Sequence, residues 1–350
     1  MKLRRIAQAA TMSVMLAADQ PGIGRAGETI TLALSPSDVT IQEELDTYIA
    51  GFSPFGLRAD EVAPVFLVDK DTDKFRFFGL NNMFKTVNVE GSRRSRVRQI
   101  DPESTLLDYT VLERQLGSLI PKVTAAQANY DLKQASGQIV ARGLGLDRES
   151  RVWTILRNTA SWNAANRVTL ATAWDDPLNS DPILDLETRI EASAQPVTDI
   201  WMAPVGAHIF LRHPSVRDHM RQMLGDNAPQ AQAVKGAGAQ MQLDFVIPGF
   251  PPFHVTPEKQ LNESTGLLDF VLGDDVVLTC NPPGADGNPM SVRTIQTFRR
   301  RGESGTGYTS REYQVEEEGL EGSTMLVAGH AEDVKMISDV CGGLIKNVKT

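Results

Sequence analysis

The spacing of apolar positions changes character along the chain. Glu28 to Leu34 alternates as a half-buried strand does, and Ser37 to Tyr48 sets a Ser or Asp cap before a short helical pattern. Gly51 to Gly56 breaks the regularity. Two aromatic-rich runs follow, Val65 to Val68 and Phe75 to Phe78, and the polar stretch Asp69 to Lys74 between them predicts a hairpin. A further extended run holds Phe84, Val87 and Val89. From Pro121 to Asn158 the apolar residues recur at close to helical intervals, among them Val123, Tyr130, Val140, Leu144, Val152 and Leu156, and Pro121 suits a first turn. Gly137, Gly143 and Gly145 each disfavour a helix interior by about 1 kcal/mol relative to Ala, so a long helix with a bend near Gly143 is expected.

Beyond Val168 the periods shorten. Val168 to Thr172, Ile200 to Met202, Leu243 to Ile247, Phe253 to Thr256, Val276 to Thr279 and Val292 to Phe298 read as strands. Pro182 to Ala194, Val205 to Leu211 and Ser215 to Leu224 read as helices. Ala228 to Gly238 suits a helix or a loop, and Thr324 to Val327, Val334 to Ile337 and Leu344 with Ile345 bring back apolar runs at the end. The mixture predicts an α+β fold. An extended excursion around residues 65–100 has little core of its own, and isolated hairpins are marginal in water, so it is expected to rest on another subunit.

Charge narrows the possible partners. The chain carries 35 Lys and Arg against 44 Asp and Glu, a net −9, which is the wrong sign for a protein held mainly by phosphate contacts. Cys280 and Cys341 are far apart in sequence and form no CxxC, so neither a disulfide framework nor a thiolate zinc site is indicated, and a reducing cytoplasm fits. Lys2, Arg4 and Arg5 before Ile6 to Ala18 resemble the start of a secretory signal. Gln8, Thr11 and Ser13 interrupt that stretch, and the reading adopted is a non-secretory arm that packs on a partner. No uninterrupted apolar run reaches the roughly 20 residues of a membrane-spanning helix, so a soluble protein with no membrane partner is expected.

Each candidate for chemistry has a simpler explanation. Gly22, Gly24 and Gly27 match the spacing of a dinucleotide-binding loop, but a poor strand precedes them and a β-like run follows, so no cofactor is expected. His208, His213 and His219 do not share a helical face, Pro214 separates two of them from the third, and no further ligand completes a set of four, so no metal is expected. Asp175, Asp176, Asp181 and Asp185 lack calcium-loop spacing; Asp181 before Pro182 belongs at an N-cap and Asp176 before Pro177 in a turn. Ser304, between Gly302 and Gly307, lacks the spacing of a nucleophile elbow. No catalytic residue is expected.

One ordered series of motifs carries a resemblance. Trp174-Asp175-Asp176-Pro177, then Ser180-Asp181-Pro182, an amphipathic helix, a strand, and Leu211-Arg212-His213-Pro214-Ser215-Val216 follow one another as in the tailed-phage major capsid proteins. Asp108-Tyr109 with Ile120-Pro121 and the long helix upstream are similar to that family, as are Ala331-Glu332-Asp333-Val334-Lys335 and Gly342-Gly343-Leu344-Ile345 at the end. The resemblance spans most of residues 60–350. It implies a Hong Kong ninety-seven-type capsid fold: an N-terminal arm (1–64), an extended β-hairpin loop (65–100), a peripheral domain with a long spine helix (101–195), an axial domain (196–322) and a return to the peripheral domain (323–350).

The function so implied is self-assembly as hexamers and pentamers into an icosahedral head around double-stranded DNA, formed in the host cytoplasm and carried in the virion. The implied partners are copies of the chain itself, a separate scaffolding protein, a portal, a decoration protein as a further candidate, and packaged DNA bound without sequence specificity. No long, charged, helical scaffold segment precedes the arm, hence a separate scaffold or a very short built-in one. Lys70, Lys74 and Lys85 lie near the region where some relatives form an isopeptide cross-link, but no local motif marks a donor, and cross-linking is not expected. Arg93, Arg94, Arg96 and Arg98 are opposite in sign to Glu316, Glu317 and Glu318, and the two groups are candidates for contact between copies, with two solvated faces as the alternative. The alternative functions are an encapsulin-type nanocompartment and, from another class, an intracellular hydrolase built on the histidine region.

Overall fold

The computed structural model describes residues 57–78, 104–129, 131–224, 244–262, 264–282, 292–301, 308–315 and 322–350. In chain order the elements are α1 (Ala59–Val62), β1 (Val65–Val68), β2 (Thr72–Phe78), β3 (Ser104–Thr110), β4 (Leu112–Pro121), α2 (Lys122–Gln127) and α3 (Leu132–Arg157). There follow β5 (Arg167–Thr169), α4 (Pro182–Ala192), β6 (Asp199–Met202), α5 (Pro204–Arg212), α6 (Pro214–Leu224), β7 (Phe253–Val255), β8 (Lys259–Leu261) and β9 (Leu268–Phe270). The last five are β10 (Val276–Thr279), β11 (Ile295–Arg300), β12 (Tyr308–Val315), β13 (Ser323–Met336) and β14 (Gly343–Lys346). The expected strand and helix at Glu28 to Leu34 and Ser37 to Tyr48, the run from Phe84 to Val89, and Ala228 to Gly238 lie outside the described residues.

Two sheets organise the molecule. The first has the order β1-β11-β13-β12, with β4 pairing β13 along its other side. The 14-residue β13 is its spine: antiparallel to β4 from Ser323 to Glu332 and to β12 over Ser323 to His330, it hands over to β11 from Glu332 to Met336. The second has the order β5-β14-β10-β6-β7 and is covered on both faces. Because successive strand residues point to opposite sides, Trp201, Val277 and Leu344 join Val152, Trp153 and Leu156 of α3 in one core. Their neighbours Ile200, Met202, Val276, Leu278 and Ile345 pack with Ile183 and Leu186 of α4 and Phe210 of α5 in another. A third, smaller cluster surrounds Phe298, on which Tyr109 stacks at 4.8 Å and Phe66 and Phe75 lie edge-on or tilted.

Three expectations need correction. First, Val65 to Val68 and Phe75 to Phe78 form no hairpin with each other. β1 runs parallel to β11, Val65 opposite Thr297, whereas β2 pairs antiparallel with β3, Thr72 opposite Thr110. The polar link Asp69 to Asp71 therefore moves the chain from one sheet to another, and partners more than 200 residues away leave no local signal.

Second, the helix is not broken near Gly143. The interruption falls at residues 128–131: α2 ends there, and Asp131 opens α3 by accepting hydrogen bonds from the backbone N–H of Lys133 and Gln134. From that cap α3 runs 26 residues unbroken, about 39 Å at 1.5 Å per residue. Gly143 stays in the helix because β4 crosses close by; a Cβ on it would stand 2.5 Å from Leu116 Cδ2. Third, the described part of the run Leu243 to Ile247, residues 244–247, yields only a bridge from Phe245 to Phe253, while the strands β4 and β12 and most of β13 carry too many polar and small residues to announce themselves.

Candidate assembly surfaces

β2 and β3 form a two-stranded ribbon. Tyr109, Phe75, Phe77 and Leu107 tie its base to the Phe298 cluster, while Lys74, Arg76, Leu106 and Asp108 face solvent. Such a ribbon holds almost no core of its own.

The body that carries the ribbon is pinned by charge. Glu332, in β13, is fully buried, yet its carboxylate meets Arg299 through two guanidinium nitrogens at 2.9 and 3.2 Å, Arg151 at 2.5 Å, Arg148 at 3.6 Å and His330 Nε2 at 3.1 Å. Desolvation opposes ionisation there, but the surrounding cations win and hold the carboxyl well below its usual range. Arg148 also pairs with Asp60 and donates to the carbonyl of Ala63, so one buried cluster joins α3 to β11, β13 and the chain entering β1. At the next position of α3, buried Glu149 accepts from the backbone N–H of Arg58 and Ala59 and from Trp153 Nε1, which seats α1 on the helix. Lys133, Arg142 and Arg157 extend the pattern to Glu312, Glu258 and Asp275.

A second charged cluster lies at the edge of the other sheet. His254 stacks on Trp201 at 4.5 Å, with Nε2 3.1 Å from Asp199 Oδ1 and Nδ1 3.4 Å from Asp244 Oδ2, and Arg58 reaches both oxygens of Asp244 at 2.9 and 3.0 Å. Burial disfavours the imidazolium, but the two carboxylates outweigh it and raise the pKa of His254 to about 9.

The histidine region resolves into separate environments. His213 Nδ1 accepts from the backbone N–H of Ser215 and contacts its hydroxyl at 2.7 Å, so in the neutral ring the proton sits on Nε2, 3.2 Å from Ser180 Oγ. Ser180 Oγ in turn donates to the carbonyl of Asp176 at 2.6 Å. The histidine therefore donates to this serine rather than taking its proton, the reverse of a nucleophile and base pair. His219 Nε2 meets Pro248 O at 3.2 Å, and His208 is exposed. Among the described residues no group of three or more His, Cys, Asp or Glu side chains is arranged to hold a metal ion.

The carboxylates of residues 175–185 fall where caps and turns need them. Asp181 caps α4, Asp176 closes the turn to Leu178 and Asn179, Asp185 accepts from Trp174 Nε1, and Asp175 holds the backbone N–H and hydroxyl of Thr350. Arg93, Arg94, Arg96 and Arg98, Glu316, Glu317 and Glu318, and Ser304 lie outside the described residues, as do Gly22, Gly24 and Gly27. A cavity of about 400 Å³ opens on the face of the first sheet away from α3. It holds Arg300, Arg301 and Arg311, but Asp71 and Glu113 pair with Arg300 and Asp69 with Arg301, so it offers no strong excess of charge.

Sequence reasoning passed over the Glu332 cluster. Its only local sign is the acidic pair Glu332-Asp333 inside an apolar run, and that sign was legible as a family phrase before it was legible as chemistry. Among the described residues no helix is long and apolar enough to cross a membrane.

The ribbon, the helix-and-sheet body that carries it and the second sheet flanked by short helices recur in solved structures. A phage-related protein from Bordetella bronchiseptica RB50 superposes with a TM-score of 0.61 over 87% of this chain and 96% of its own, at 19% identity. The putative capsid protein of a prophage in Escherichia coli CFT073 gives 0.51 over 87% and 98%, at 12% identity. The holo-encapsulin complex from Synechococcus elongatus PCC 7942 gives 0.49 over 86% and 94%, at 11% identity. No protein-family profile and no curated protein matches the sequence. The chain has the α+β, Hong Kong ninety-seven-type fold of these structures.

Proposed function

We propose that this chain is the major capsid protein of a tailed bacteriophage, non-enzymatic, assembling as hexamers and pentamers into an icosahedral head that encloses double-stranded DNA. The observation that carries the reading is the match of nearly the whole chain to nearly the whole of a phage-related protein of the same fold. The β2–β3 ribbon supports it, because an element without its own core gains its stability from a neighbouring subunit. Contacts of obligate assemblies bury about 2,000 Å² or more, enough to offset the entropy of association without special chemistry.

The proposal includes an arm at 1–64, an extended loop at 65–100, a peripheral domain at 101–195 and 323–350 and an axial domain at 196–322. It includes a separate scaffolding protein and a portal as partners, a decoration protein as an optional one, assembly in the host cytoplasm, and contact between the 93–98 arginines and the 316–318 glutamates of adjacent copies. Electron microscopy of the purified protein, expressed alone and with its neighbouring genes, tests the reading. Closed shells or rings of five and six are expected. Small shells filled with a protein cargo would shift it to a nanocompartment, and a monodisperse monomer or dimer under both conditions would overturn it.

A further inference from the structure

Among the described residues β4 is a sheet edge. It pairs with β13 along one side, and among the described residues nothing pairs along the other, which leaves a ten-residue row of alternate N–H and C=O groups facing outward. Natural edge strands are usually short, charged or covered, because an exposed apolar edge templates pairing with another chain. This one instead shows Leu112 at 57%, Leu116 at 40% and Leu119 at 41% exposure.

On the side facing α3 the apolar surface continues past the strand. Leu116 lies beside Gly143, and Arg114 lies 3.8 Å from Asp147, so β4 and α3 run antiparallel to one another with one helical turn per two strand residues. Continued by one step, that register puts Ile139, which is 68% exposed, beside Ser118. Leu112, Leu116 and Ile139 thus expose apolar side chains along the strand edge, with Arg114 between the first two.

We propose that β4 is a two-fold interface, pairing antiparallel with β4 of a second copy so that the first sheets of the two subunits become continuous. The occupant follows from complementarity. Backbone donors and acceptors in a row are satisfied by another strand, and a two-fold contact requires a patch that fits itself. With Leu116 opposite its own symmetry mate, Leu112 meets Ile120, Arg114 meets Ser118 and Glu113 meets Leu119, so no like charges face each other. Gly117 lies opposite Gln115, where a missing side chain leaves room. The strand pairing stands on geometry alone; only its placement at two-fold axes between capsomers rests on the shell reading.

The test is a single cysteine at the symmetric position. Directly opposed Cβ atoms in an antiparallel pair lie about 4.5–5.5 Å apart, close enough to cross-link on mild oxidation, and Cys280 and Cys341 are buried and do not compete. In Leu116→Cys, oxidation with a hydroperoxide, which takes up two electrons and two protons as two thiols become one disulfide, is expected to convert most chains to dimers on a non-reducing gel. Leu184→Cys, at an exposed residue on α4, is expected to stay monomeric. Leu116→Lys, with circular dichroism and thermal unfolding of the subunit unchanged, is expected to abolish the contact. Shells that form normally from Leu116→Lys, or intact Leu116→Cys shells that give no dimer, would overturn the interface and leave the capsid reading standing. Dimers from a protein that never forms shells would uphold the interface and overturn the capsid reading.

Discussion

Replacing Glu332 with Gln tests whether the buried charge cluster holds α3 to its sheet. The substitution keeps volume and shape but removes the counter-charge of Arg148 and Arg299, whose side chains are only 4% and 5% exposed, and of the less buried Arg151. Breaking a buried pair by neutralising one partner costs about 3–5 kcal/mol, because the remaining cations stay desolvated and uncompensated. At roughly 2–4 °C per kcal/mol for a domain of this size, the midpoint should fall by about 10 °C. Urea unfolding of the unassembled subunit measures the loss without a contribution from interfaces.

The dependence on pH is a second check on the same residue. The folded carboxyl of Glu332 titrates well below its ordinary value of 4.5, so its contribution is complete above that value and disappears as pH falls through the folded one. Wild type and Glu332→Gln should differ by a constant amount at pH 6–8 and converge in acid. A variant within about 1 kcal/mol of wild type at pH 7, or a gap that does not narrow in acid, would refute the account, since either means that the arginines are adequately solvated without Glu332.

His254 should impose the opposite pH trend. With its folded pKa raised from 6.5 to about 9, the stability it contributes is complete below 6.5 and is lost as pH rises through 9, so His254→Gln should flatten the stability profile over that interval in urea titrations. Two glycines should respond differently to Ala. Gly143→Ala meets only the end of the partly exposed Leu116 side chain and gains helix propensity, so its stability should stay within about 1 kcal/mol of wild type. Gly342→Ala forces a side chain into φ +94° with its Cβ 2.2 Å from the carbonyl of Leu278, and should cost about 2–3 kcal/mol or more in the same assay.

The sequence by itself determined the elements whose causes are local. Pro182, Pro204 and Pro214 stand at helix starts, Asp181 caps α4, and the continuous apolar runs around Ile200, Val276 and Leu344 become strands because a sheet buried on both faces needs apolar side chains at successive positions. Motif order carried the resemblance, and the fold agrees with it. Only the tertiary structure decided which strands pair. Val65 to Val68 joins Ile295 to Arg300 rather than the aromatic run beside it, because parallel partners are chosen by packing around Phe298, not by the intervening turn. It also decided what the polar residues of α3 do. Arg148 and Glu149 read as breaks in an apolar stripe, yet they are the anchors of the helix, since a charge can be buried wherever distant residues bring it partners, and periodicity along the chain holds no record of them.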